Sequence, residues 1–316
     1  MKGASFFIYR YRCKKKMKPI ANAILCYERW DYEAFNRLRE LNIQPKEVKN
    51  DIRQIQLEQN EEGRVMVRYW TKKGDSQGRI YGNLVSYDEK YPNMYLRAGH
   101  SLQGLAGWVR RYISHKHYRD FDICNCAPNL MAQVLARYNL CPTSLTQFNA
   151  NRSAILEKYT TRYNIPRSEV KEVFLAILHT GKGDPRFRES MILKAQLDTA
   201  LKELAKRGEY ITLYKQCLRR GNQQGSFAFC VWSREEHKVL MCMRDYFVSL
   251  GYHAERMVFI YDGLMVEKND ELDRQGVVSL EALSNHIREV TGYVLQVEEK
   301  SLVPTEADLA LVSSFS

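Results

Sequence analysis

The sequence predicts an α+β fold with antiparallel strand pairing, and three observations carry that prediction. The run Arg256-Met-Val-Phe-Ile-Tyr-Asp-Gly-Leu-Met-Val266 is apolar on both arms with Asp-Gly at its centre, the pattern of a β-hairpin. Strand-like segments do not alternate with helices one for one, which argues against a doubly wound parallel sheet. From Thr143 to about Leu218 helical signals dominate, so the helices are gathered together.

The chain has 316 residues, enough for one large or two modest domains with a real core. It is 45% hydrophobic and 27% charged, which excludes wholesale disorder. No apolar run approaches the roughly 20 residues needed to span a bilayer, and no membrane partner is expected. The opening MKGASFFIYRYRCKKKMK lacks a signal-peptide apolar region of adequate length. Eight cysteines occur without a CxxC pair or a zinc spacing, which points to reduced thiols in an intracellular compartment. The net charge of +11, from 48 basic and 37 acidic residues, suggests a polyanionic partner, with nucleic acid the commonest; solubility alone is the plainer explanation.

Residues 1–64 read as an N-terminal appendage. Arg10 to Lys18 is a basic run, Tyr27 to Ile43 has helical periodicity, and 48–62 is a second helix or a linker. Val65–Trp70 and Arg79–Tyr87 read as strands, with Lys-Lys-Gly-Asp between them as a turn. Ser101–Ile113 reads as a helix with Leu102, Leu105, Trp108 and Val109 on one face. Tyr118–Cys124 alternates like a strand, and an apolar helix starts near Pro128. Pro166 opens a helix that ends by Gly181, GNQQGSFAF (221–229) reads as a loop, and Ser233–Leu250 is helical. The hairpin, an amphipathic helix over Ser279–Thr291 and a strand over Tyr293–Val297 complete the chain.

Two carboxylates stand out because they interrupt apolar strands. Asp122 lies between Phe121 and Ile123, and Asp262 lies in the hairpin. Two aspartates on adjacent strands would repel unless cations lay between them. A pair of Mg²⁺ ions is what in-line phosphoryl transfer uses, and Mg²⁺ needs only one or two carboxylates besides phosphate oxygens and water. The plainer reading of Asp262 as a turn residue stands beside this one. The helix from Pro166 carries Arg167 and Lys171 four apart, hence on one face, with His179 two turns on. Two cations at a helix start form a socket for a triphosphate; in isolation they read as a solvated face. Asp120 reads as a strand-end residue, His115 and His117 as a solvated turn, Met241, Met243 and Met257 as core, and Cys124 and Cys126 as tight packing.

The order strand-Asp, basic helix, hairpin-Asp resembles a right-handed polymerase palm with inserted fingers. Asp122-Ile-Cys-Asn-Cys-Ala-Pro128 is similar to motif A of family A DNA polymerases and single-subunit phage RNA polymerases. Arg167-x3-Lys171-x7-His179 resembles their motif B, and Tyr261-Asp262-Gly263 their motif C. Asp75-Ser-Gln-Gly-Arg-Ile-Tyr81 is similar to the DxxGRxY element of the phage enzymes. More narrowly, GRIY, SLQGLAGWVRR, YRDFDICNCAPNLMAQ and YDGLMV resemble the polymerase module of virophages and transpovirons (TV-Pol), over roughly residues 65–300.

The resemblance implies a right-hand polymerase fold with an antiparallel palm sheet, helical fingers and a reduced or absent thumb. Residues 1–64 would be the appendage or reduced thumb, and 65–316 the palm with fingers inserted at about 140–230. The palm would take its strands from 65–87, 118–124, 256–267 and 293–297. It implies Asp122 and Asp262 as the catalytic pair, holding two Mg²⁺ or Mn²⁺ ions. Arg167 and Lys171 would hold the incoming triphosphate. His179, where the families usually carry Tyr, and Asn125 would sit at the nucleotide and bear on sugar choice. Arg79, Tyr81 and Tyr261 would contact nucleic acid. Implied partners are a DNA template and primer, nucleoside triphosphates and a superfamily-three helicase in cis or trans, in the host cytoplasm or a viral factory. RNA-only synthesis, or a catalytically inert nucleic-acid-binding palm scaffold, are the rival readings.

Overall fold

A computed structural model describes residues 16–17, 23–41, 43, 52, 55, 59–71, 78–87, 95–218 and 220–315. The basic run at 10–18 lies outside them save for Lys16 and Met17, as do most of 48–62 and the turn at 72–77 with Asp75. The chain divides into two compact units, one formed from Met1–Trp70, Tyr81–Lys116 and Val303–Ser316, the other from Thr71–Ile80 and His117–Leu302.

In the first unit, β1 (Lys16–Met17), β2 (Ile24–Arg29), β3 (Arg64–Thr71), β4 (Ile80–Tyr87) and β5 (Tyr95–His100) form a sheet in the order β1-β5-β4-β3-β2. The strands expected at 65–70 and 79–87 therefore form, but in this sheet and not with the hairpin. The helix expected over Tyr27–Ile43 is strand β2 followed by α1 (Tyr32–Glu40), because Ile24–Arg29 pairs residue for residue with β3. Asp31 caps α1 by accepting a hydrogen bond from the Ala34 amide. The helix expected at 101–113 splits into a short 3₁₀ turn, Leu102–Gly104, and α2 (Gly107–Ser114). The buried Glu28 carboxylate accepts hydrogen bonds from Trp30 Nε1, Tyr69 Oη and the Leu102 amide, so its lone pairs are met.

The second unit is built on β6 (Tyr118–Ile123), β7 (Val258–Ile260), β8 (Gly263–Glu267) and β9 (Val297–Lys300), ordered β7-β8-β6-β9 with all three pairings antiparallel. In the first sheet the pairs β1–β5, β4–β5 and β2–β3 are likewise antiparallel, within an α+β architecture. All five residues of β8 are buried, which explains why the hairpin reads apolar without alternation. The 27-residue helix α8 (Gln223–Ser249) packs on this sheet, with the Phe247 ring 4.7 Å from that of Phe121. The final strand begins at Val297 and not at Tyr293, whose ring is buried and whose hydroxyl donates to Glu235.

Helices α3 (Cys126–Ala136), α4 (Thr143–Tyr163), α5 (Arg167–Leu178), α6 (Arg188–Leu204) and α7 (Gly208–Cys217) fill the interval between β6 and α8. Phe148, Phe174, Tyr159 and Phe187 form the aromatic core between α4, α5 and the start of α6, with ring spacings of 4.5–6.5 Å. The segment read as a loop, 221–229, is instead the start of α8. Gly225 misled that reading: it lies inside the helix because a Cβ there would sit 2.3 Å from the His179 carbonyl oxygen. After the hairpin come α9 (Asp270–Gln275) and α10 (Leu280–Thr291), and α11 (Glu306–Ser314) belongs to the first unit. Within that unit, Asp308 of α11 takes a bidentate pair from Arg111 of α2. Among the described residues no helix is long and apolar enough to cross a membrane.

Candidate active site

Antiparallel register brings the two interrupting carboxylates together. Asp122 is paired with Gly263 across β6 and β8, and Asp262 is the residue immediately before Gly263. Tyr261 and Asp262 are the two-residue turn of the hairpin, since Ile260 pairs directly with Gly263. Gly263 has a reason besides turn chemistry. A Cβ there would lie 2.8 Å from the Phe121 carbonyl oxygen and 2.9 Å from Asp122 Oδ1, so only glycine lets the strands close at this end.

Both turns beside the carboxylates hold a non-glycine residue in the left-handed region. Tyr261 has φ +50°, and Asn125, which precedes α3, has φ +50°. Such backbone persists only where its surroundings hold it, and it gathers at functional sites. The β6-to-α3 turn is pinned by the Cys124 amide donating to the Gln296 carbonyl, and by Asn129 donating its side-chain amide to the Cys124 carbonyl. The helix here begins at Cys126, ahead of the expected start near Pro128, so Asn125 lies in the turn that follows the strand.

Charge follows from this geometry. Burial, reinforced by the neighbouring Asp122 charge, pushes the Asp262 carboxyl up to about 6. The Lys300 ammonium on β9 forms an ion pair with Asp122 and lies 3.8 Å from Glu298. Burial works against that ammonium, but the hydrogen bond and charge of Asp122 prevail and raise its pKa. The buried Cys126 thiol is held well above its ordinary value, by burial first and then by Asp262, Glu236 and Asp122.

A second cluster adjoins the hairpin within the same unit. The Arg79 guanidinium donates to Glu236 of α8 at 2.9 Å and lies 4.8 Å from the Tyr261 ring, 4.9 Å from Trp232 and 5.3 Å from Phe229. The His179 ring, at the end of α5, is 4.9 Å from Trp232 and 5.7 Å from Phe229. Burial, with Arg79 adding, lowers the His179 pKa, so the imidazole is neutral near pH 7. Burial pushes the Glu236 carboxyl up to about 7 against the pull of Arg79, and Asp262 and Asp122 add to the rise.

The structure therefore gathers Asp122, Asp262, Arg79, Tyr261 and His179, with Asn125 in the adjoining turn. Tyr81 lies in the other unit, its ring 5.5 Å from that of Trp70. Arg167 and Lys171 are exposed on α5, and among the described residues neither forms an ion pair. Arg167 donates to Ser153 Oγ at 3.2 Å. Beside it, the half-buried Arg152 has its pKa lowered by burial and by Arg167, and its Nε is buried without a partner. Among the described residues no carboxylate pairs with either guanidinium.

Three of these residues escaped the sequence reading. Glu236 sits in Arg-Glu-Glu-His-Lys, which reads as a solvated helix face, yet it is 2% exposed. Lys300 reads as an ordinary edge-strand charge, and Arg152 as one of many basic residues in α4. Nothing local distinguishes them, because partners distant in sequence define each one.

The metal inventory is small. Among the described residues no group of three or more His, Cys, Asp and Glu side chains is arranged to hold a metal. Two converging carboxylates, Asp262 with its pKa raised by burial and then by Asp122, fit a hard divalent cation that draws its remaining ligands from phosphate and water. The ammonium against Asp122 shows that a cation is accommodated there.

No protein-family model matches the chain. No curated protein matches its sequence. Among solved structures it is similar to the POL domain of Pol1 from M. smegmatis, solved in complex with DNA primer-template and dNTP, with TM-score 0.46 and 12% identity over 80% of this chain and 50% of that one. The chain spans half the length of that polymerase chain.

Proposed function

We propose that the protein is a template-directed nucleotidyltransferase that extends or initiates a strand on DNA. The observation that carries this reading is the convergence of Asp122 and Asp262 at one end of adjacent antiparallel strands, with a repulsion that divalent cations would relieve. The reaction is attack of a 3′-hydroxyl oxygen on the α-phosphorus of a nucleoside triphosphate. The new P–O bond forms as the bond to pyrophosphate breaks, and the hydroxyl proton passes to solvent. Asp122 and Asp262 would hold two Mg²⁺ or Mn²⁺ ions, which supply charge neutralisation at the attacking and leaving oxygens.

The remaining chemistry is positioning. Arg167 and Lys171, with Arg152 beside Arg167, bind the triphosphate as an anion and steady the departing pyrophosphate. The His179 ring, backed by the buried Trp232, would present the surface on which a base stacks, worth ~1–3 kcal/mol per base. Arg79, held flat among Tyr261, Trp232 and Phe229, faces the primer side of the site. Asn125 and His179 would bear on sugar choice, and Tyr81 is assigned a nucleic-acid contact by the motif that contains it. The kinship to the virophage and transpoviron module, the capacity to prime, the helicase partner and a place in a viral factory belong to the same proposal. They rest on the motifs quoted above.

The test is primer extension and de novo synthesis on single-stranded DNA with Mg²⁺ or Mn²⁺, comparing dNTPs with NTPs. Asp122→Asn and Asp262→Asn are run alongside. The expected result is incorporation by the parent chain, reduced at least ~10²–10³-fold in both variants. Incorporation of NTPs alone would assign RNA synthesis. No incorporation under any condition, with DNA binding intact, would assign the inert scaffold and sink the proposal.

A further inference from the structure

Lys300 is a cation that the motifs do not call for, placed on a carboxylate that they do. Its strand, β9, is the edge of the sheet, and an edge lysine ordinarily serves to discourage pairing with another chain. This one is directed elsewhere. Asp120 is the residue opposite Lys300, and Asp122 is opposite Glu298. Residues two apart share a face of the sheet, so the Lys300 side chain reaches diagonally to the catalytic aspartate. Its ammonium pairs with Asp122 Oδ2, and Glu298 stands 3.8 Å from it as a second anionic partner. Lysine side-chain exposure is 48%, against 17% for Asp122, so the ammonium can move into solvent without unpacking the strand.

We infer that Lys300 is a resident counter-cation of the carboxylate pair, competing with the divalent ion for Asp122 and turning to Glu298 when the ion arrives. The inference rests on the nucleotidyltransferase reading, since it needs Asp122 as a metal ligand. Its consequence concerns the order of binding. A free divalent ion must displace the ammonium from Asp122, so metal alone binds weakly. An ion arriving with a triphosphate brings further oxygen ligands and negative charge, so the same displacement is compensated. The site is thereby tuned to take metal and nucleotide together.

The experiment is a titration of the protein with Mn²⁺, reading free Mn²⁺ by electron paramagnetic resonance, with and without a non-hydrolysable α,β-methylene triphosphate. Wild type is compared with Lys300→Met, which keeps length and removes charge, and with Lys300→Arg, which keeps charge. Lys300→Gln serves the same purpose should the methionine variant fail to fold. Lys300→Met is expected to bind Mn²⁺ alone roughly tenfold more tightly, a modest change because the pair is half exposed to solvent and screened. Lys300→Arg should stay near wild type, and the analogue should improve Mn²⁺ binding more in wild type than in Lys300→Met. Equal affinity in wild type and Lys300→Met, with uptake that Asp122→Asn abolishes, would overturn the role of Lys300 alone. Uptake by none of the proteins, or uptake that Asp122→Asn leaves unchanged, would overturn the carboxylate-pair reading and this inference with it.

Discussion

Replacing Asp262 by Asn should make the metal-free protein more stable while it removes activity. In the folded chain this carboxyl is carried from 3.8 to about 6, chiefly by burial and then by Asp122. A rise of roughly 2 units at 1.36 kcal/mol each sets a ceiling of ~3 kcal/mol on the cost of ionising Asp262 in place. Partial solvent contact at the turn reduces this to about 1–2 kcal/mol. The folded pKa lies above the unfolded one, so the folded state binds the proton more tightly. The stability this provides is present in full below about pH 4 and is lost as pH rises through about 6. Asparagine keeps the shape and carries no charge, so Asp262→Asn should escape the loss. The assay is thermal unfolding in EDTA at pH 4 and pH 7.5. At pH 7.5 the variant should melt about 2–8 °C higher, at roughly 2–4 °C per kcal/mol for a chain of this size, and at pH 4 the difference should shrink towards zero. A variant that melts lower at pH 7.5, or gains equally at both pH values, would refute the argument that burial beside Asp122 makes the Asp262 charge costly.

Two further predictions concern the same end of the sheet and the helix beyond it. Gly263→Ala places a methyl group 2.8 Å from the Phe121 carbonyl oxygen and should cost ~1–3 kcal/mol in denaturant unfolding, with incorporation lost as the carboxylates part. An Ala variant as stable as the parent would show that the strands have room there. Arg167→Ala and Lys171→Ala should each raise KM for the nucleotide roughly tenfold or more in single-turnover kinetics, while template affinity by fluorescence anisotropy stays unchanged. Equal losses in template affinity would move both residues from the triphosphate to the nucleic-acid backbone.

Asp122 and Asp262 were singled out in the sequence because each interrupts an apolar strand, whereas Arg79, Tyr261 and the role of His179 came from the motif resemblance alone. An aspartate in an apolar strand departs from what its neighbours predict. The hairpin, α3 and α5 were readable for the same reason, since their periodicity and their Pro and Gly punctuation are local. What stayed hidden was set by distant partners. Ile24–Arg29 carries helix-compatible residues but is a strand because Arg64–Tyr69 lies alongside it. The stretch Gln223–Phe229 has loop composition, but Asn222 caps a helix there and Gly225 clears the His179 carbonyl. Glu236 and Lys300 look like surface charges until Arg79 and Asp122 are placed beside them. Which strands share a sheet was hidden as well, because β3 and β4 read as strands just as those of the site do, yet they lie in the other sheet.

Several unfavourable terms meet at the carboxylate end of the second sheet. Two carboxylates repel, Tyr261 and Asn125 hold backbone that non-glycine residues avoid, and Glu236 is buried with its Oε1 unpartnered. Any one of these costs about 1–3 kcal/mol, a sizeable share of a domain's net stability. They persist because the surroundings are rigid: β8 is buried along its whole length, Phe121 packs on Phe247, and Gly263 leaves the paired strands no slack. Left-handed backbone also occurs at Asn139, Asn164 and Thr180, just after helices α3, α4 and α5, where it closes a helix. Here two of the strained turns flank the carboxylates, one after β6 and one before β8, and the sheet holds both. Under the proposed function this is where a divalent cation and the anion travelling with it would bind, and their charges would offset the repulsion between Asp122 and Asp262.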